Sequence, residues 1–407
     1  MPTPRSCRNP ACPNHTSPAE NWNVRIGTYT TLAHGEVQRY RCRCCGKTTS
    51  DQTESIHYYA KRRLPVRAMI ASLNSGSSLR EIGRRYGYSC AAIRNGVLRI
   101  GRQAMAAQIL LLNETNQRHQ VVFDGLRSFV TSQDYPCDIT TVVDRQSEVI
   151  LTMTHAVRRR GGTVKLKHRK RTKAKYARWT PRAGTTKRAI YLVVRELWNY
   201  LRPSDNGPLR VDTDEDPLYR FALYRNLVWQ HLKLRDLAVH HTTPGGAPRT
   251  FLNPLFPVNY VDRLLRHRVK EHTRETIAFG RHATVQMHRA WIFAWDHNMC
   301  REYRVKRPEL GLHGEQGVVS GSFLRKVRRQ FCDRRLRIDG RVVPWSIVQV
   351  WRNTLQTPPV RWWVGQKGTM VRVPKFALAD LAAGLFLPAE GWVRTGGSGG
   401  LQPAITG

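Results

Sequence analysis

The stretch LRVDTDEDPLYRFAL, residues 209–223, concentrates negative charge in a strongly basic chain. Four carboxylates stand within five positions, at Asp212, Asp214, Glu215 and Asp216. The sequence of 407 residues holds 29 Asp and Glu against 67 Lys and Arg, a formal net charge of +38. A cluster of acids in so basic a protein predicts that at least one of them has a chemical role.

The letters LRVDTD alternate as a strand, and Pro217 is expected to begin a helix. Asp214 is at the end of that strand, where ligands bind in parallel sheets. Asp212 shares its face, so alternation leaves both acids as candidates. Glu215 and Asp216 are expected to cap the helix that follows.

The flanking segments extend this pattern into an α/β domain over residues 116–300. HQVVFDGLRSFV predicts a strand, and CDITTVVDRQSEVILTMTHAV predicts a hairpin with DRQS as its turn. A helix over TTKRAIYLVVRELWNYLR, the strand LRVDTD, the helix PLYRFALYRN and the strand LRDLAVHHTT follow, and then a long helix from about Tyr260. Three strands followed by alternating helices and strands are typical of a ribonuclease-H-like fold.

Such a fold takes its carboxylates from the first strand, the fourth strand and a later helix. Asp124 interrupts the apolar first strand, although a strand-end turn with Gly125 is an alternative interpretation. On the helix, Asp262 lies on the apolar side, and Glu275 is the alternative. Asp124, Asp214 and Asp262 predict a site for Mg²⁺ or Mn²⁺, which prefer oxygen ligands and serve phosphoryl transfer in pairs.

Residues 1–60 predict a zinc ribbon. Two cysteine pairs, Cys7/Cys12 and Cys42/Cys45, flank a strand-like segment, and thiolates suit the tetrahedral preference of Zn²⁺. His15 is an alternative ligand, and Cys44 is expected to take no part. The competing interpretation is a set of scattered cysteines in a reducing compartment.

Residues 61–115 predict a helix-turn-helix DNA-binding domain. Ser78 and Ser89 are expected to cap successive helices, with Gly87 in the turn between them. The second helix would bring three polar side chains to DNA, namely Arg94, Asn95 and Arg99. Small three-helix units of this pattern also occur without binding DNA.

Two further segments are strongly basic. Residues 158–188 contain 14 Lys or Arg, which favours an insertion that clamps the DNA backbone over a solvated, partly disordered segment. Residues 301–407 predict a small, basic, partly β module, with GGSGG in a flexible tail.

The charge indicates double-stranded DNA as the partner, because Lys and Arg bind polyanions through phosphate contacts. No apolar run of ~18 residues and no signal peptide is apparent, so neither a membrane nor secretion is expected. The expected location is the cytoplasm.

These motifs resemble the DDE transposases of bacterial insertion sequences, in particular the branch typified by insertion sequence one. The resemblance covers residues 1 to about 300 and includes YRCRCCGKT, TDEDPLY and LLRHRVKEHTRETIAFGR. It places the first family acid on Asp124 and the second on Asp214. The third, commonly glutamate, falls on Asn259, so Asp262 is the nearest carboxylate.

The resemblance implies a transposase that binds terminal inverted repeats. It would cut DNA strands with the aid of metal and transfer them to a target, acting as a homo-oligomer on DNA in the bacterial nucleoid. Arg266 and Lys270 of the basic helix would contact DNA. The departure at Asn259 leaves open an inactive copy that serves as a DNA-binding regulator, and a nuclease or resolvase of the same fold is a third hypothesis.

Overall fold

The computed structural model describes residues 4–115, 120–161, 165–198, 201, 207–273, 278–316, 318–359, 373–386, 392–393 and 402–403. Its strands are β1 (Asn23–Thr31), β2 (Gly35–Cys42), β3 (Thr48–Ser50), β4 (Gln120–Phe129), β5 (Pro136–Asp144), β6 (Ile150–Val157), β7 (Leu209–Asp214), β8 (Ala238–Thr243), β9 (Trp392–Val393) and β10 (Gln402–Pro403). Its α-helices are α1 (Pro13–Thr16), α2 (Val66–Asn74), α3 (Leu79–Tyr86), α4 (Cys90–Glu114), α5 (Leu166–Arg178), α6 (Thr185–Leu197), α7 (Pro217–Tyr224), α8 (Leu227–Leu234), α9 (Phe256–Arg268), α10 (Ala283–Cys300), α11 (Gly321–Phe331), α12 (Trp345–Trp351) and α13 (Lys375–Ala382).

A five-stranded mixed sheet forms the centre of the molecule, in the order β6-β5-β4-β7-β8. Strand β5 runs antiparallel to β4 and β6, whereas β7 runs parallel to β4 and β8. All residues of β5 and β6 are buried, so both faces of this part of the sheet are covered. The predicted hairpin is confirmed, and its turn is held by Asp144, which accepts hydrogen bonds from the backbone N–H and the hydroxyl of Ser147.

The N-terminal part combines a three-stranded sheet, β1-β2-β3, with the helices α2, α3 and α4. The predicted caps are confirmed: Ser78 accepts from the N–H of Glu81 at 3.2 Å, and Ser89 accepts from that of Ala92 at 3.2 Å. Gly87 ends α3 with a φ of 69°, a left-handed conformation that favours glycine.

Helix α10 was missed by the sequence prediction, and it packs along α4. Every residue from Ala283 to Met299 is buried, so the helix has no polar face to mark its period. One hydrophobic cluster runs from Ile56 through the sheet to Leu381. The boundaries predicted near residues 115 and 300 therefore do not divide the core.

Two other predictions differ from the structure. Helix α9 begins at Phe256, with Pro257 in its first turn, and ends at Arg268. The predicted partly β C-terminal module is mainly helical in its described part, where α11, α12 and α13 contrast with the two-residue strands β9 and β10. Residues 360–372 and the GGSGG segment lie outside the described residues. Among the described helices, none has the length and apolarity to cross a membrane.

Candidate functional site

Two of the predicted acids lie on adjacent parallel strands. The last paired residues of β4 and β7 are Val122 and Asp212. Asp124 and Asp214 each follow two residues later, so the same register places them side by side. Each carboxylate accepts a hydrogen bond from nearby backbone: Asp124 from the N–H of Gly125 at 2.6 Å, and Asp214 from that of Asp216 at 2.9 Å. Both side chains are partly accessible to solvent.

Helix α9 packs across β4 and β5 and supplies the third acid, Asp262. This carboxylate is 8 % exposed, and by hydrogen-bond geometry its Oδ1 has no partner among the described residues, although the nearby Thr141 side chain acts to lower its pKa. Asn259 and Arg266 lie three residues before and four residues after it, so all three share one face of the helix. The Arg266 guanidinium acts electrostatically on Asp124 and on Asp262, which places this face of α9 at the strands' acids.

The charge of Asp124 raises the pKa of each of the other two acids. Burial raises the pKa of Asp124, and it raises that of Asp214, with a further rise from the Asp124 charge. Burial and then the charge of Asp124 hold the pKa of Asp262 well above its ordinary value. Carboxylates whose pKa is raised in this way favour binding of a proton or a cation. As they stand, the three carboxylates are not among the described groups whose ligand atoms all lie within 4.8 Å of one another.

Asp212, the alternative to Asp214, has a different environment. It is fully buried, and it accepts hydrogen bonds from Arg145 Nη1 at 2.7 Å and from Arg210 Nη2 at 2.8 Å. His241 Nδ1 lies 3.1 Å from its Oδ1. Because each of its oxygens accepts a hydrogen bond from an arginine guanidinium group, we assign Asp212 a structural role and not a place among the metal ligands.

The remaining acids of the opening stretch are also divided by role. Asp216 caps α7 by accepting from the N–H of Leu218 at 2.9 Å, as predicted. Glu215 does not cap the helix, because it accepts from the N–H of Gly245 at 3.1 Å. This bond joins the end of β7 to the loop after β8.

Sequence reasoning missed two residues near the acids. The loop after β8 carries Arg249, whose charge lowers the pKa of Asp124 against the larger effect of burial. Tyr219 is buried in α7, and a Cβ placed on Gly125 would lie 3.4 Å from its hydroxyl. The PLY of the opening stretch was the available signal for Tyr219. Glu275 lies outside the described residues.

The predicted zinc ligands come together. The sulfur atoms of Cys7, Cys12, Cys42 and Cys45 all lie within 4.8 Å of one another. Cys7 Sγ is 3.4 Å from Cys45 Sγ, and Cys12 Sγ is 3.8 Å from Cys42 Sγ. Tetrahedral zinc with bonds of about 2.3 Å separates its sulfurs by about 3.8 Å, so the four thiols fit a structural ion such as zinc. Among the described residues, these four cysteines are the group of three or more Cys, His, Asp or Glu side chains whose ligand atoms lie this close together.

The two doubtful ligands of this cluster are settled by position. His15 turns its Nδ1 to the carbonyl of Cys7 at 2.7 Å, and it is absent from the cluster. Cys44 is exposed and is likewise absent from it. Burial raises the pKa of Cys7 to about 11, whereas the backbone N–H of Lys47 lowers that of Cys45 to about 6.

The residues predicted to contact DNA differ in their exposure. Asn95 and Lys270 are exposed, and Arg94 and Arg266 are partly buried. Arg99 points inward, because its Nη1 donates to the carbonyls of Ile56 at 2.9 Å and Tyr58 at 2.6 Å. Burial lowers its pKa to about 10. We therefore assign Arg99 a structural role in place of the predicted DNA contact.

The basic segment 158–188 contains an ordered helix, α5, docked on the turn between β4 and β5. Asp134 in that turn is fully buried and pairs with Lys175 at 2.6 Å and Arg171 at 3.1 Å. Tyr135 packs edge-on against Trp179 at 5.4 Å. The interpretation of this segment as partly disordered is therefore wrong for α5.

Comparison with models of known protein families gives no match to this chain. Comparison with curated proteins also finds none that matches it.

Proposed function

We propose that this protein is a DNA transposase that cleaves and transfers DNA strands at a site formed by Asp124, Asp214 and Asp262. One observation carries the proposal: two acids at one level of adjacent parallel strands, with a third buried acid on the helix packed across them. In a chain with a net charge of +38, this concentration of acids faces a partner rich in phosphate.

The topology supports a ribonuclease-H-like fold for this domain. The strand order is β6-β5-β4-β7-β8, in which β5 runs antiparallel to β4 and β7 runs parallel to both β4 and β8. This is the arrangement expected of that fold. The acids then occupy the first strand, the fourth strand and a later helix, as the sequence predicts.

The three carboxylates fit Mg²⁺ or Mn²⁺ by the chemistry of their donors. They offer hard oxygen ligands, and the buried Oδ1 of Asp262 has no hydrogen-bond partner in the described chain. When bound, such ions stabilise the charge on the attacking and leaving oxygens of a phosphoryl transfer. Asp124, Asp214 and Asp262 would hold them.

The chain's own groups have definite tasks in this proposal. Arg266 stands on the same face of α9 as Asp262, and Arg249 lies in the loop near Asp124. Their guanidinium groups would position a phosphate of the DNA by charge-assisted hydrogen bonds. The Glu215–Gly245 bond would fix the loop that carries Arg249.

The N-terminal part would bind the ends of the element. The cysteine cluster would hold zinc and stabilise the zinc ribbon expected over residues 1–60, and α3 with α4 would form the helix-turn-helix. Arg94 and Asn95 lie near the start of α4 and would reach the bases, while Lys270 would contact backbone. The protein would act in the bacterial nucleoid as a homo-oligomer.

Asn259 favours a second candidate, a catalytically inactive regulator that occupies element ends. The amide of Asn259 cannot supply the charged ligand that the resembled family has at this position. Asp262, almost one turn later on the same helix face, is the residue that decides between the two candidates.

The test uses duplex oligonucleotides that carry the inverted repeats flanking the coding sequence. With Mg²⁺ or Mn²⁺, the proposal predicts strand cleavage and joining to a second duplex by the wild type. Asp124→Asn, Asp214→Asn and Asp262→Asn should each lose both steps by about 10³-fold, which is about 4 kcal/mol, and retain end binding. Cleavage without joining would indicate a nuclease, and binding without cleavage would indicate the regulator.

A further inference from the structure

A basic cleft separates the N-terminal part of the molecule from α11. Two adjoining cavities of about 520 and 550 Å³ form it, and they share Arg5, Gln330 and Arg334. Residues of the N-terminal part line one wall, and α11 with the segment 333–341 lines the other. We call this feature the basic cleft.

The cleft carries positive charge that the protein does not neutralise. Three of its cations pair with acids: Arg335 with Asp380, Arg337 with Asp339 and Arg341 with Glu114. Four others form no ion pair with any residue in the described ranges, namely Arg5, Arg63, Lys326 and Arg329.

Helix α11 directs its charge into this cleft. Its sequence GSFLRKVRRQF contains four cations and no acid, and all four cations are exposed. The buried face of Leu324, Val327 and Phe331 fixes the rotation of the helix. Lys326 and Arg329, three residues apart, therefore lie on one face and line the cleft together.

The two walls are joined by backbone, so the cleft exists before any ligand enters. The N–H of Arg335 donates to the carbonyl of Glu54 at 2.8 Å, and the N–H of Ile56 donates to that of Asp333 at 3.2 Å. Arg335 Nη1 also donates to the carbonyl of Thr53 at 2.9 Å. Burial lowers the pKa of Arg334, and the nearby charge of Arg5 lowers it further, against a smaller opposing effect of Glu54.

We propose that the basic cleft binds the phosphodiester backbone of DNA and gives α11 a function as a DNA-binding element. The helix face and the fixed opposite wall set the spacing of the Lys and Arg side chains. Cations held in this way can bind successive phosphates of a DNA backbone. This inference rests on the proposed function for the identity of the polyanion. It assigns to the C-terminal segment a contact separate from the acids and from the start of α4.

The test compares two triple variants, each of which removes three positive charges. Arg5→Gln with Lys326→Gln and Arg329→Gln alters the cleft, whereas Lys233→Gln with Arg235→Gln and Lys306→Gln alters exposed residues that line neither cavity. Affinity for a labelled DNA is measured by fluorescence anisotropy across a range of salt concentrations, for the duplex and for one of its strands, with no divalent cation added. Both variants must first match the wild type in thermal unfolding.

The cleft variant should lower the slope of log K against log salt by roughly 2 to 3 for the duplex, because each lost phosphate contact contributes about 0.9. The same effect confined to the single strand would support the cleft as a single-strand site. Equal effects of the two triple variants on DNA affinity would overturn the proposal. If the cleft variant binds DNA as the wild type does but is competed less by polyglutamate, the ligand of the cleft is an acidic polypeptide instead.

Acetylation of lysines provides an independent measurement in the wild type. Excess DNA should slow the modification of Lys326 several-fold while leaving Lys233 unchanged, and equal rates with and without DNA would contradict the proposal. Neither assay requires strand cleavage. A chain that binds through the cleft but does not cut DNA would therefore refute the proposed function alone.

Discussion

Asp212 and Asp214 are two residues apart on the same strand, and the structure gives them opposite surroundings. Asp212 is fully buried among Arg145, Arg210 and His241. Asp214 lies beyond the last paired residues of β4 and β7, beside other carboxylates and half-open to solvent. One strand thus supplies both an anion that stabilises the fold and an anion available to a ligand.

This difference predicts opposite effects on stability. Asp212→Ala leaves two partly buried arginines without a counter-charge, and the free energy of unfolding should fall by about 3 kcal/mol. Asp214→Asn removes a charge that repels its neighbours, so stability should stay the same or rise. Urea denaturation followed by circular dichroism measures both. A cost for Asp214→Asn as large as that for Asp212→Ala would contradict the division of roles.

The cysteine cluster predicts one tightly bound metal per chain. Cys42→Ser removes a buried ligand, and elemental analysis of the purified protein should show loss of the metal and a lower melting temperature. Cys44→Ser is the matched control, because Cys44 is exposed and outside the cluster. Equal metal content in the two variants would refute the site.

Glu196 predicts a pH dependence of stability. It is buried in α6 and accepts from the N–H and hydroxyl of Ser346, both at 2.6 Å. Burial raises its pKa from 4.5 to about 7. Between these values the folded state holds a proton that the unfolded state has released, so this contribution to stability is present below pH 4.5 and lost as pH rises to 7.

Comparison with Glu196→Gln isolates this effect. The free energy of unfolding of the wild type, relative to the variant, should fall by up to about 3 kcal/mol between pH 4.5 and 7.5. Urea titrations at several pH values provide the measurement. Parallel pH profiles for the two proteins would show that Glu196 is ionised throughout this range.

The sequence predicted the elements whose signals are local. The alternating strands with the DRQS turn, the serines that cap α3 and α4, and the spacing of the cysteines each depend on a few neighbouring residues, and the structure contains them. Helix α10 escaped prediction because burial on all sides removes its amphipathic period. The predicted long helix from Tyr260 ends at Arg268, although basic residues continue in the sequence beyond it.

The individual roles of polar residues required the tertiary structure. Alternation puts Asp212 and Asp214 on one face, and they differ because Arg145 comes from the β5–β6 turn. The position of Arg99 in the sequence predicts an exposed side chain that contacts DNA. In the structure it instead donates hydrogen bonds to the carbonyls of Ile56 and Tyr58. Contacts between residues distant in the chain leave no periodic signal.

Binding of Mn²⁺ tests the three-acid site most directly, since it requires neither a DNA substrate nor turnover. Isothermal titration of protein with a metal-loaded cysteine cluster should show that Asp124→Asn and Asp214→Asn each weaken Mn²⁺ binding by at least about 10-fold, or ~1.4 kcal/mol. Asp236→Asn is the control, because Asp236 is exposed with a φ of 56° that asparagine tolerates. Equal Mn²⁺ affinity in all the proteins would contradict the account.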